Sequence, residues 1–227
     1  MNKIEKNIYL IKEKINKARK IYQRKNSEIN LVAVSKMVEE ERILQAINAG
    51  CRIFGENYIK EAKEKWPKIK ENFPETKLHF IGGLQSNKAK DAVKLFDCIQ
   101  SLDNENLALA INKEAGKLSK KIDCFIQVNI GHEKQKSGLS PLKVKEFLDF
   151  CLKLENIKIV GLMTIPPANK AASPYFALLA KIAKENKLDS LSMGMSADFE
   201  QAIALNSNYI RLGTAIFGAR DVELNII

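Results

Sequence analysis

The stretch Leu31-Val32-Ala33-Val34-Ser35-Lys36-Met37 reads as a continuous apolar run followed by a polar turn that holds a lysine and no glycine. Such a run, too continuous for a half-exposed strand, is how a strand buried on both faces of a parallel sheet is written. The turn is as informative as the run. A doubly wound open sheet normally follows its first strand with a glycine-rich phosphate-binding turn. Here the glycines follow the later strands instead, as Gly161, Gly194 and Gly213.

Working outward, the same pattern recurs along the chain. Short β-rich apolar runs fall at 31–34, 52–54, 78–81, 98–100, 124–129, 157–162, 190–192 and 209–212. Amphipathic stretches near 39–49, 57–72, 86–95, 104–119, 141–154, 172–187 and 197–205 separate them, and a short helix is expected to open near Thr214. Strict alternation of strand and helix predicts a parallel sheet. Eight such units predict an α/β fold, a single-domain (β/α)8 TIM-type barrel spanning residues 1–227. Ahead of it, residues 1–25 carry Ile4, Ile8, Ile11, Ile15 and Ala18 at helical spacing. They predict an extra N-terminal helix packed on the barrel. No linker rich in Pro, Gly or Ser divides the chain, and Pro166-Pro167 belongs to the loop after the sixth strand.

Composition narrows the class. Of 227 residues, 45% are hydrophobic, which excludes a disordered chain. No apolar run is long enough for a membrane span, and the charged N-terminus has no apolar secretory core. The four cysteines, Cys51, Cys98, Cys124 and Cys151, form no close pair and read as reduced core thiols in a cytoplasm. The net charge of +10 invites a nucleic-acid reading. Its lysines, however, are interleaved with glutamates, as in Lys60-Glu61-Ala62-Lys63-Glu64-Lys65, the pattern of a solvated helix face. Neither nucleic acid nor membrane is therefore expected as a partner. No exposed apolar helix face forces a dimer, so a monomer is expected.

In a barrel of this kind functional groups sit at the C-terminal ends of strands. Lys36 stands there, after the first strand. A lysine chosen at random is a surface charge, but one beside the core is partly desolvated, which lowers its pKa and makes it an amine nucleophile toward an aldehyde. The loops after the seventh and eighth strands carry Gly194-Met195-Ser196 and Gly213-Thr214. Glycine lets backbone approach an anion, and hydroxyls with free N–H groups supply donors, as a phosphate site requires. Alternatively, Ser196 and Thr214 cap their own helices. Arg211 lies on an apolar strand and needs a partner, either a structural ion pair or a ligand. Glu56 and Asp198 are candidate acid-base carboxylates, with placement at helix N-termini the plainer account. His79 and His132 share no ligand spacing with each other or with the cysteines, so no metal is expected.

At these same residues the sequence resembles the pyridoxal phosphate homeostasis proteins, which have the alanine-racemase-type barrel without that enzyme's second domain. The resemblance rests on Ala33-Val34-Ser35-Lys36, Phe54-Gly55-Glu56-Asn57-Tyr58, His79-Phe80-Ile81-Gly82 with Leu84-Gln85-Ser86-Asn87-Lys88, Lys136-Ser137-Gly138 and Gly161-Leu162-Met163-Thr164-Ile165. It rests further on Leu191-Ser192-Met193-Gly194-Met195-Ser196 with Asp198, and on Arg211 to Gly218. The resemblance implies pyridoxal 5'-phosphate (PLP) held as a Schiff base on Lys36. It places the phosphate on Ser196, Gly213 and Thr214, and Arg211 at the pyridine nitrogen. Asn57, His79 and Met163 would line the ring pocket. It further implies a non-catalytic protein that binds PLP and supplies or buffers it, with PLP-dependent apo-enzymes as possible recipients. The chain departs from many relatives at Val38 and Glu39, where a second lysine and a proline are usual, at Asn206, where a glycine is usual, and in a segment 166–175 that looks shortened. The competing reading is a small amino-acid racemase. That chemistry needs a second acid-base group, in such enzymes a tyrosine from an added domain, and the chain's end at Ile227 is expected to leave no room for one.

Overall fold

The computed structural model describes residues 1–24, 28–133 and 135–219. Eight parallel strands close into a barrel in sequence order: β1 (Asn30–Val34), β2 (Ile53–Glu56), β3 (Lys77–Phe80), β4 (Cys98–Leu102), β5 (Ile122–Gln127), β6 (Ile157–Met163), β7 (Ser190–Ser192) and β8 (Tyr209–Leu212). Helices α2 (Glu40–Asn48), α3 (Ile59–Asn72), α4 (Ala89–Leu95), α5 (Glu105–Lys117), α6 (Val144–Cys151), α7 (Ser173–Glu185) and α8 (Phe199–Ala204) follow the first seven strands. The four-residue α9 (Thr214–Phe217) follows β8. The expected barrel is the observed one, with small shifts at the edges. Strand β2 begins at Ile53, not Arg52, and runs on to Glu56. Helices α4 and α6 are each preceded by a 3-10 turn, at Ser86–Lys88 and Pro141–Lys143.

The closing ladder joins β1 to β8, with Val32 opposite Arg211 and Ala33 opposite Leu212. Alternation along the strands sorts side chains into two layers. Ala33, Phe54, Leu78, Phe80, Ile99, Cys124, Ile126, Leu162, Ile210 and Leu212 point outward into the main core beneath the helices. Cys98, Phe125 and Met163 point inward and form a separate apolar cluster with Val160 and Tyr209.

Helix α1 (Lys3–Ile21) supplies what the stub α9 cannot. It packs against α2, α8 and α9 and so covers the outside of the β8–β1 seam. Its five anticipated apolar positions, Ile4 through Ala18, are all buried. A capping box fixes its start: Asn2 Oδ1 accepts from Glu5 N at 2.9 Å, and Asn2 N donates to Glu5 Oε2 at 2.8 Å. Asn7 ties the helix down by donating to the Ile216 carbonyl at 2.9 Å. Asn206 adopts φ +73° in the turn before β8, a left-handed conformation that asparagine tolerates.

If α1 is part of the folded unit, Ile8→Ala should cost about 2–5 kcal/mol in denaturant unfolding, since Ile8 is 1% exposed. Tyr9→Ala, at a position 57% exposed, should stay within about 0.5 kcal/mol of wild type. Equal, small effects would mean that the helix is only loosely attached.

Candidate functional site

Arg211 projects from β8 into the barrel, 4% exposed. Its Nη1 donates to Ser192 Oγ on β7 at 2.7 Å, and its Nη2 donates to the Thr164 carbonyl at 2.8 Å. Guanidinium can only donate, and this fixes the direction of the whole chain of bonds. The Ser192 hydroxyl accepts from Arg211 and donates to Gln100 Oε1 at 2.6 Å. The Gln100 amide then donates to His79 Nδ1 at 2.8 Å. His79 is therefore a neutral imidazole with its proton on Nε2. Burial pushes its pKa down to about 4, with Asp97 opposing weakly. Burial likewise lowers Arg211 to about 10, opposed by the charge of Asp198. Among the described residues no carboxylate pairs with Arg211; its two contacts are neutral oxygens. The chain spans β8, β7, β4 and β3 and forms a polar layer across the barrel.

The loop after β7 meets the loop after β8. Gly194 at φ +95° makes the first turn, and a Cβ there would stand 2.6 Å from Ala202 Cβ and 3.0 Å from Phe199 Cα. Only glycine lets α8 pack so close. Asp198 Oδ1 accepts from Met195 N at 2.6 Å and folds the loop back. Asp198 thus sits at the N-cap of α8, as expected, but its side chain bonds the loop and not the helix. Ser196 does not cap its own helix. Its hydroxyl accepts from Ala215 N at 3.2 Å and so caps α9, whose N-cap residue, Gly213, has no side chain to do it. Thr214 is the first residue of α9 and is exposed. Ser196, Gly213 and Thr214 therefore converge on one helix start.

Gly213 lies against Val34 of β1, so the same helix start borders the β1–α2 turn that carries Lys36. Lys36 is half-buried. Asn57 follows β2, and the close backbone approach of Gly82 fixes it; a Cβ at Gly82 would meet the Asn57 Cα at 2.8 Å. Its Oδ1 is buried and meets no hydrogen-bond partner among the described residues. A cleft of about 310 Å³ opens beside it between the loops after β2, β3 and β5. Met163 is fully buried in the interior apolar cluster, opposite Ser192 in the β6–β7 ladder.

Glu56 corrects one expectation. It is not at a helix start. It lies within β2, fully buried, and accepts from Ser35 Oγ at 2.8 Å and Trp66 Nε1 at 3.1 Å. Lys65 Nζ lies 3.0 Å from the same oxygen. Outward alternation places it there, against α3. Three participants escaped the sequence reading: Gln100, Ser192 and Lys65. Gln100 left one signal, an amide in the mostly apolar strand Cys98–Leu102. Among the described residues no three His, Cys, Asp or Glu side chains stand together as metal ligands. No helix there is long and apolar enough to cross a membrane.

The family described as alanine racemase, N-terminal domain, matches residues 4–221. The pyridoxal phosphate homeostasis protein of Vibrio cholerae serotype O1 is 38% identical over 235 residues, covering 99% of this chain and 100% of that one. This chain belongs to the pyridoxal phosphate homeostasis protein family. A structure of PipY from Synechococcus elongatus PCC7942, described as having PLP bound, superposes with a TM-score of 0.82 at 32% identity, covering 95% of this chain and all of PipY. The alanine racemase of Clostridium difficile 630 superposes at 0.73 with 16% identity, covering 97% of this chain and 57% of the racemase, a likeness of fold alone. The name of the pyridoxal phosphate homeostasis proteins denotes a homeostatic role and no reaction.

A buried neutral His79 should show in the acid limb of stability. Its folded pKa of about 4 lies below the ordinary 6.5, so the unfolded chain binds the extra proton between those values. Stability is then full above pH 6.5 and falls as the pH drops toward 4, by on the order of 3 kcal/mol. His79→Gln should remove that part of the slope. Parallel unfolding profiles for variant and wild type from pH 7 to 4 would show that His79 titrates freely.

Proposed function

We propose that this chain binds pyridoxal 5'-phosphate at the barrel mouth, holds it covalently through Lys36, and serves as a non-catalytic store that buffers and supplies it in the cytoplasm. PLP-dependent apo-enzymes are the recipients. The observation that carries this reading is Arg211, a buried cation whose hydrogen bonds among the described residues go to neutral oxygens. Burying a cation without a counter-charge is costly, and a ligand offering a lone pair and net negative charge relieves that cost. Asn57 Oδ1, buried with no hydrogen-bond partner among the described residues, offers an acceptor to a ring hydroxyl of the same ligand.

When bound, PLP supplies an aldehyde carbon that takes an amine and an aromatic ring that withdraws electrons. Lys36 would supply the amine that this carbon takes. The Ser196 and Thr214 hydroxyls, Gly213, and the N–H groups that open α9 hold the phosphate. Asn57, His79 and Met163 line the ring. Arg211 faces the pyridine nitrogen and, as a cation, disfavours a proton there, which leaves the ring a poor electron sink. That supports storage over turnover. The free, buried cysteines support a reducing compartment: burial raises Cys51 to about 11 and Cys151 to about 12, which leaves them protonated and inert.

Purified protein mixed with PLP should turn yellow, and borohydride should bleach it and fix the adduct to Lys36 by peptide mapping. Lys36→Ala should fold and form no fixed adduct; a label on another lysine overturns the assignment. Ser196→Ala and Thr214→Ala should each weaken PLP retention by roughly ten- to a hundredfold, with pyridoxal binding nearly indifferent to both. Incubated with amino acids in deuterated water, the loaded protein should leave the Cα proton in place. Exchange at about one per second or faster would make it an enzyme.

A further inference from the structure

The turn that carries Lys36 is held from outside the barrel by one ionic cluster on α3. Lys65 Nζ donates to the Ser35 carbonyl at 2.9 Å and to the Val38 carbonyl at 3.3 Å, one on each side of the Lys36-Met37 pair. Between them, the Met37 N–H donates to Glu61 Oε1, and that same oxygen accepts from Lys65 at 2.7 Å. Glu56 completes the cluster below, taking Ser35 Oγ, Trp66 Nε1 and the Lys65 ammonium on a single carboxylate oxygen. The Lys65 side chain is 14% exposed and the Glu56 side chain 0%.

The turn needs such a hold. Met37 adopts φ +57°, a left-handed conformation that a residue with a Cβ enters only when its surroundings impose it. Met37 cannot draw that constraint from packing, because it is 67% exposed. No glycine in the turn relieves it. The turn closes on itself through the Val38 N–H, which donates to the Ser35 carbonyl at 3.1 Å, and the hydrogen bonds from α3 brace it at both ends and at Met37.

We propose that Lys65, seated on Glu56, is a positioning residue for Lys36: it sets the turn so that the amine meets the cofactor aldehyde in a reactive pose. Neither Lys65 nor Glu56 touches the cofactor in this reading. The proposal rests on the assignment of Lys36 as the PLP-linking amine. Misplacing a reacting group by about 1 Å costs on the order of a hundredfold in rate, which sets the size of the effect to expect.

Lys65→Met alone would strand a buried carboxylate on Glu56 and risk unfolding. The working variant is therefore Glu56→Gln with Lys65→Met, which removes both charges at similar volume. Three measurements are made on it and on wild type: the rate at which added PLP becomes fixable by borohydride, the affinity for pyridoxine phosphate, which has the phosphate and ring but no aldehyde, and amide exchange across residues 35–39 without ligand. The expected result is covalent capture slowed by about ten- to a hundredfold, unchanged affinity for pyridoxine phosphate, and faster exchange in the turn. Capture at the wild-type rate overturns the proposal. So does a matching loss of pyridoxine phosphate affinity, which would make the cluster a support of the whole mouth. If wild type itself forms no adduct on Lys36, the functional reading fails first and takes this inference with it.

Discussion

The ladder between β1 and β8 is the constraint on which the rest of this molecule depends. It pairs Asn30 with Tyr209 and Val32 with Arg211, residues from opposite ends of the chain. Without it the barrel is an open sheet with two raw edges, and every feature of the mouth comes apart. Lys36 follows the first strand; Arg211, Gly213 and Thr214 end or follow the last. Val34 and Gly213 touch only because the strands are joined. Parallel pairing then sets direction, so that all strand C-termini and their loops gather at one end.

Period-two alternation divides the labour of each strand. On β2, Phe54 and Glu56 look outward to Trp66 of α3, the phenyl ring at 5.1 Å from the indole and the carboxylate on its N–H. On β8, Ile210 and Leu212 feed the helix-side core, while Arg211 enters the barrel. Inside the barrel, apolar and polar side chains stand side by side: Cys98 opposite His79, and Met163 opposite Ser192. Cys98, Phe125 and Met163 form an apolar plug, with Tyr209 meeting Phe125 edge-on at 5.2 Å. The polar chain from Arg211 to His79 spans the same interior. Such a chain is tolerable only because each member hands its donor to the next, so that its desolvation costs are offset one by one.

Much of this was legible in the sequence because it is periodic. The isoleucines of α1, the eight strands and the glycine-marked loops each follow a local rule, and they lie where the rules put them. Glu56 was misjudged because the reading ended β2 two residues early; inside a strand, its parity points it at α3 and not at a helix start. Gln100 and Ser192 were missed for a different reason. They are 92 residues apart, and nothing local announces that one will accept a hydrogen bond from the other. Lys65 sat within a run of alternating charges that reads as solvated, and its neighbours Lys60 and Lys63 are indeed on the surface. What separates it from them is the helical turn that brings it over Glu56, a fact of packing between two elements.

Helix α1 has a consequence for biogenesis. Its isoleucine face leaves the ribosome before any barrel strand, yet part of the surface that covers it belongs to residues 199–217, made only after β7. At about 5–20 residues per second, that face waits on the order of ten to forty seconds for its last partners. Four isoleucines on one side of a nascent helix are a ready target for holding chaperones during that interval. A chain released early, before β8 and α9 emerge, keeps the face uncovered and lacks the seam it should seal. Quality control could therefore recognise a truncated product by its first helix.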